Sequence, residues 1–194
     1  MKTVGIIGSG NIGGTLGTHL SKAGYEVMFS SRHPEQLEEL ANNANAEYGT
    51  VSDAAAFGEI LIFAFPFGKL EEVSGLIRPQ ENKLIIDINN YFPGRDGEEI
   101  GNILKNNGWR QSEYTAKFFP EANVVKAFNT IYYAVLRDRA FKKPGDRIAI
   151  PIAGDNADAK NELKEIIDNL GYDSVDVGFL EDTKILEPNQ PIFA

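Results

Sequence analysis

Near the N-terminus the chain reads Gly8-Ser9-Gly10-Asn11-Ile12-Gly13-Gly14, an intact GxGxxG. Glycines at this spacing do separate jobs. Gly8 permits a tight turn, Gly10 lets the main chain approach a pyrophosphate, and Gly13 lets a helix pack closely on a strand. As a bare string the motif is weak; it becomes mechanistic where it follows a strand and opens a helix, whose N-terminus then offers free N–H groups and partial positive charge to an anion. Here Val4-Gly5-Ile6-Ile7 precedes it, and Ile12, Leu16 and Leu20 follow at helical spacing. The candidate phosphate-binding residues are Gly8, Ser9, Gly10, Asn11, Ile12 and Gly13. A triphosphate loop does not fit, because Gly13-Gly14-Thr15 lacks the Lys that reaches the terminal phosphates.

The end of the second strand selects the dinucleotide. An NAD site normally places Asp or Glu there, about 20 residues past the turn, to accept hydrogen bonds from the ribose 2′-hydroxyl. This chain has Ser30-Ser31-Arg32-His33 instead, two hydroxyls and a guanidinium. An acid would repel a 2′-phosphate, whereas Arg offers it a planar fork of donors. The expectation is NADP(H), held by Ser30, Ser31, Arg32 and His33.

In an open α/β sheet, ligands lie beyond the carboxyl ends of the strands. That draws attention to Ala64-Phe65-Pro66-Phe67 after the fourth strand, Asn89-Asn90 after the fifth and Asn129-Thr130 after the sixth, of which Ala64, Phe65, Pro66, Asn89 and Asn129 are nominated to hold the cofactor. An Asn amide can meet a nicotinamide carboxamide with both donor and acceptor, and Asn129 is the leading candidate. Phe63 reads as core and Phe67 as either core or a ring-stacking residue. His19 reads as structural. Asp87 and Lys126 read as interior groups without nameable partners, and Tyr132 and Tyr133 either wall an acceptor cavity or support a dimer contact.

Other chemistries lack their residues. The chain has no Cys and two His, which leaves no thiolate nucleophile, disulfide, iron–sulfur ligation or Cys-based zinc site. No His/Asp/Glu cluster has metal-ligand spacing, and there is no GxSxG elbow. Tyr114 and Lys117 stand one residue too close for the YxxxK pair of short-chain dehydrogenases. No residue is nominated as catalytic.

The elements that must position these residues alternate. Strands are expected at 4–7, 26–29, 48–51, 60–65, 84–88, 123–128, 147–153 and 173–177. Helices are expected after the glycine turn, from Pro34, from a Ser52 cap, around Leu70 to Ile77, over 112–119 and from an Asp155 cap. The segments 89–97 and 180–194 read as irregular. The pattern predicts a doubly wound α/β Rossmann domain with a mostly parallel sheet, one domain over 1–194 with no separating linker. With 28 acidic against 19 basic residues, the net charge is −9, which disfavours nucleic acid and anionic membrane as partners. The longest apolar run, 60–67, is short of the roughly 20 residues of a membrane span. With no leader pattern after Met1 the expected location is cytoplasmic.

The run Gly8 to Arg32, the strand ending Phe63-Ala64-Phe65-Pro66, and above all Val124-Val125-Lys126-Ala127-Phe128-Asn129-Thr130 resemble the F420-dependent NADP oxidoreductase family over nearly the whole chain. Asp87-Ile88-Asn89-Asn90, Arg95-Asp96-Gly97 and Leu186-Glu187-Pro188 through Gln190-Pro191 resemble its bacterial branch of NADPH-dependent, dinucleotide-binding reductases. The resemblance implies NADP(H) across the strand ends, with a flat redox partner such as F420 or a flavin stacked on the nicotinamide, and is compatible with a homodimer. Asn90-Tyr91 stands where related chains often carry Asn-Pro, and the C-terminal segment lacks the longer apolar tail of F420-using members. The acceptor is therefore left open. Two other readings are an imine or pyrroline reductase, for which about 194 residues leave little room for a substrate domain, and a non-catalytic NADP(H) sensor.

Overall fold

Runs that are apolar on both faces need cover on both faces, and the computed structural model, which describes residues 2–78 and 80–193, supplies it from the helices between them. The chain runs β1 (Thr3–Ile7), α1 (Asn11–Lys22), β2 (Glu26–Ser30), a 3-10 turn (Pro34–Leu37) into α2 (Glu38–Ala44), β3 (Glu47–Gly49), α3 (Val51–Phe57), β4 (Ile60–Phe63) and α4 (Leu70–Ser74). It continues through β5 (Leu84–Asp87), α5 (Pro93–Asp96), α6 (Glu98–Asn107), α7 (Gln111–Phe118), β6 (Asn123–Lys126), α8 (Tyr133–Asp138), β7 (Ala149–Gly154), α9 (Ala157–Asn169) and β8 (Asp173–Asp176) to a 3-10 segment, Leu180–Leu186.

The sheet order is β3-β2-β1-β4-β5-β6-β7-β8. The first six strands are mutually parallel, in the order of the dinucleotide-binding fold. β7 then runs antiparallel to β6, and β8 runs parallel to β7. Alternation within strands divides the core between the two faces of the sheet. Ile60 and Ile62 pack in one cluster with Leu16, Phe29, Ile86 and Leu163, while Leu61 and Phe63 pack in the other with Phe67, Leu70, Ile85 and Phe119. Phe67 is fully buried, which settles it as core. Each large side chain so buried contributes about 1.5–3 kcal/mol.

Several boundaries differ from the sequence reading. α3 is capped by Thr50, not Ser52: the Thr50 hydroxyl accepts the Asp53 N–H while the Asp53 carboxylate takes the Thr50 N–H. Val51 consequently opens the helix and does not extend β3. α9 is capped by Asn156, whose side chain accepts the Ala159 N–H; Asp155 instead accepts the Leu180 N–H. β4, β5 and β6 end at Phe63, Asp87 and Lys126, earlier than their apolar runs, so the following residues turn out of the sheet. α6 and α8 were not anticipated, and α5 and the 3-10 segment occupy stretches read as irregular. Among the described residues no helix is long and apolar enough to cross a membrane.

His19, in the last turn of α1, is buried, with Nδ1 unpartnered and its ring edge-on to Phe141 at 5.5 Å. Burial, then the nearby Lys22 charge, holds its pKa below the ordinary 6.5. The unfolded chain therefore binds this proton more readily than the folded one, so stability is complete above pH 6.5 and declines as pH falls through that value. His19→Leu is expected to flatten the dependence of the melting temperature on pH between 7.5 and 6; equal slopes in thermal scans of the two proteins would refute this.

Candidate functional site

The glycine turn sits between β1 and α1, and its three glycines meet different surroundings. Gly8 has φ +97°, and a Cβ there would lie 2.5 Å from the Ala64 carbonyl oxygen. A Cβ on Gly13 would lie 2.0 Å from the Gly8 carbonyl oxygen. Both positions are fixed as glycine by the protein's own main chain. Gly10 is not: it holds an ordinary extended conformation at φ −74° as the N-cap of α1, and a Cβ would meet nothing within 4 Å. Ser9 ties the turn to β2, its hydroxyl donating to the Ser30 carbonyl and accepting the Ser30 N–H, both at 3.1 Å.

Beyond β2 the four nominated residues separate. Ser30 is fully buried and its hydroxyl donates to the Ile6 carbonyl at 2.7 Å. This corrects the expectation of two outward hydroxyls, because the last residue of the strand points into the sheet. Ser31 is half-buried and its Oγ accepts the His33 N–H at 2.9 Å. Arg32 is exposed and, among the described residues, has no carboxylate within salt-bridge distance. His33 is exposed, with Nδ1 3.6 Å from a Glu35 carboxylate oxygen.

The carboxyl ends of β1, β4 and β5 enclose a cleft of about 250 Å³. Gly10, Asn11 and Ile12 form one side, Ala64, Phe65 and Pro66 the second, and Ile88, Asn89, Asn90, Phe92 and Arg95 the third. A larger cleft of about 460 Å³ lies at the opposite end of the sheet, against Glu26, Val27, Asn45 and Glu47. Its acidic residues disfavour an anion, and none of the nominated residues reaches it.

Asn89 and Asn129 are buried, and their bonding fixes which atom of each amide is oxygen. Asn89 Oδ1 accepts the Phe65 N–H at 2.9 Å, which leaves Nδ2 as a buried donor without a partner. Asn129 Nδ2 donates to Asn90 Oδ1 at 2.9 Å and to the Leu186 carbonyl at 2.7 Å, leaving Oδ1 as an unpartnered acceptor. Asn90 Nδ2 returns a bond to the Asn129 carbonyl. Phe128, buried just ahead of Asn129, has φ +56°, a conformation that costs a non-glycine residue about 1–3 kcal/mol and clusters at functional sites. Asn129 itself is not among the cleft-lining residues; it stands behind Asn90.

Sequence reading singled out Asn90 beside Asn89 but missed Ile88, Phe92 and Arg95 as lining residues. Pro93 at the first turn of α5 was the available signal. The short helix turns Arg95 back over the Phe92 ring at 5.1 Å, where Asp96 grips the guanidinium at 2.8 Å and accepts the Phe92 and Gly68 N–H groups. Those contacts, with Arg95 foremost after the opposing cost of burial, hold the Asp96 carboxyl below its ordinary range. Tyr132, far more exposed than buried, stacks edge-on with Tyr133 at 4.7 Å and is absent from the cleft lining.

Residues 3–91 match the family described as NADP oxidoreductase, coenzyme F420-dependent. The chain is 28% identical to metalloreductase STEAP3 of Rattus norvegicus over 184 residues, 95% of this chain and 35% of the relative. It is 27% identical to metalloreductase STEAP2 of Mus musculus, over 98% of this chain and 36% of the relative. The chain thus spans about a third of the length of these curated relatives. Among solved structures, a hypothetical protein of Sinorhizobium meliloti superposes with a TM-score of 0.85 at 28% identity, covering 100% of this chain and 94% of that one. A putative F420-dependent NADP reductase of an Arthrobacter species superposes at 0.73, covering 93% and 86% at 24% identity, a likeness of fold. Residues 3–91 are thus similar in sequence to the NADP oxidoreductases described as coenzyme F420-dependent, and the fold of the chain is shared with the Sinorhizobium meliloti protein over its whole length.

Proposed function

We propose that this protein is an NADP(H)-dependent oxidoreductase that passes hydride between the nicotinamide and a planar redox acceptor, F420 or a flavin. The site fits the cofactor. The open space over Gly10 leaves room for a pyrophosphate at the helix N-terminus, and Ser31 and Arg32 follow β2 as donors for a 2′-phosphate, Arg32 having no carboxylate within salt-bridge distance among the described residues. Asn89, which lines the cleft, has an uncommitted Nδ2 donor, and Asn129, behind Asn90, has an uncommitted Oδ1 acceptor. Bound NADPH supplies the hydride; the chain holds it and sets its orientation to the acceptor.

The observation that carries the reading is the lining of the cleft. Its residues include no His, Asp, Glu, Lys or Tyr, and its one charged side chain is that of Arg95. Reduction of a carbonyl or an imine calls for a proton donor beside the acceptor atom. Hydride transfer between two stacked rings does not.

The test is the loss of NADPH absorbance on adding F420, then FMN, with NADH as control. The expected result is turnover with one of the two acceptors and a preference for NADPH of at least about a hundredfold in kcat/KM. Tight NADPH binding with no turnover on either ring would replace this reading with that of a redox sensor. Turnover on a cyclic imine alone would replace it with an imine reductase, the activity in the name of a Pseudomonas neighbour whose fold is similar at a TM-score of 0.65 and 18% identity.

A further inference from the structure

Beneath the cleft lies a buried ion pair that the proposed hydride transfer does not use. Lys126 Nζ, on β6, stands 3.4 Å from Asp87 Oδ2, on β5, and the two side chains are 1% and 0% exposed. A buried pair of this kind is weak evidence for stability, because desolvating two charges offsets most of their attraction. What distinguishes this one is where its remaining bonds go. Asp87 Oδ1 accepts the Asn89 N–H at 3.0 Å, and Lys126 Nζ donates to the Asn89 carbonyl. Both main-chain polar groups of one cleft residue are held by the two halves of the pair. Ser112 donates to Asp87 Oδ2 at 2.7 Å and Thr115 at 3.3 Å, which fixes the carboxylate from the α7 side. With its backbone clamped and its Oδ1 committed to the Phe65 N–H, Asn89 has one orientation left, and its free Nδ2 is its only unspent donor.

We propose that Asp87 and Lys126 are positioning residues for the nicotinamide half of the cofactor, acting through Asn89; this rests on the NADP(H) reading above. Asn89 follows β5, on the far side of the glycine turn from Arg32. The pair therefore governs one end of the dinucleotide and leaves the adenosine phosphate end to Ser31 and Arg32. The charges matter as a clamp, not as participants: neither group lines the cleft.

The test compares two ligands on one protein by titration calorimetry: NADPH, and adenosine 2′,5′-bisphosphate, which carries the 2′-phosphate but no nicotinamide. The variant is D87N/K126M, which removes both charges together, keeps an oxygen for the Asn89 N–H and deletes the donor to the Asn89 carbonyl. NADPH affinity is expected to fall about tenfold while the bisphosphate binds as it does to the unaltered protein. A general structural loss would weaken both ligands equally, and that result, or unchanged affinity for both, overturns the proposal. Should the double variant not fold, Ser112→Ala loosens the same carboxylate with no change of charge and is expected to weaken NADPH about threefold and the bisphosphate not at all; equal effects on the two ligands again overturn it. An unaltered protein that binds neither ligand overturns the NADP(H) reading itself.

Discussion

Arg32→Glu is expected to weaken NADPH binding by about 3 kcal/mol, roughly a hundredfold, while changing NADH by less than about threefold. Two effects add. The variant loses a charge-assisted pair of bonds to the 2′-phosphate, and it places a carboxylate against a group carrying nearly two negative charges. The unperturbed NADH value follows from position. Arg32 stands exposed beyond the end of β2, with no salt-bridge partner among the described residues whose loss would disturb the fold. Fluorescence titration of each nucleotide settles the matter, and equal losses for NADPH and NADH would remove Arg32 from the 2′-phosphate site.

Gly10→Ala should act differently, reducing affinity for NADPH and NADH alike by about 2 kcal/mol, some thirtyfold, with a melting temperature close to that of the unaltered protein. The methyl group enters empty space and the backbone is already extended at φ −74°, so the fold meets no clash. The poorer N-cap and the stiffer unfolded chain offset each other to within about 1 kcal/mol. A nucleotide does meet the methyl, at the point where its phosphates must reach main-chain N–H groups. Gly13→Ala is the contrast: its Cβ would sit 2.0 Å from the Gly8 carbonyl oxygen, and a loss of stability of the order of 3 kcal/mol is expected before any ligand is added. Thermal melts beside titrations separate the two. A destabilised Gly10→Ala that binds both nucleotides normally would show that the turn has no ligand.

These contrasts show what a chain of residues discloses and what it withholds. The presence of the first six strands along the chain was legible, because continuous apolar runs such as Ile60 to Phe63 mark strands covered on both faces, and the glycine spacing marks where β1 ends. The division of labour among the glycines was only half legible. Spacing assigns each a task, but only the surroundings reveal that Gly8 and Gly13 are held to glycine by the protein's own main chain while a Cβ on Gly10 would meet nothing. The Ser30 error was one of register. Ser30 pairs with Ile7 at the last position of β2 and points its hydroxyl inward to Ile6, whereas Ser31, one residue on, has left the sheet. The caps shifted by one or two residues because Thr50, Ser52, Asp53, Asp155 and Asn156 are all competent cap formers, and tertiary contacts chose among them. Asp87 and Lys126 were visible as charges in apolar strands, but their pairing, across 39 residues of sequence, is a property of adjacent strands that no local pattern encodes.

The dependence of Asn129 on Leu186, 57 residues further along the chain, bears on how the protein is made. Within this chain the glycine turn and the Arg32 corner lie in the first β-α-β unit, and folding during synthesis proceeds from the N-terminal side. Asn129 is seated only after residues 180–193 have folded back, with Glu187 accepting the Gln111 N–H and Phe193 lying 6.2 Å from Phe92. A growing chain therefore completes the turn between β1 and α1 well before it seats the Asn129 side chain. On the reading proposed above, the phosphate end of the nucleotide has its site before Asn129 has its seat.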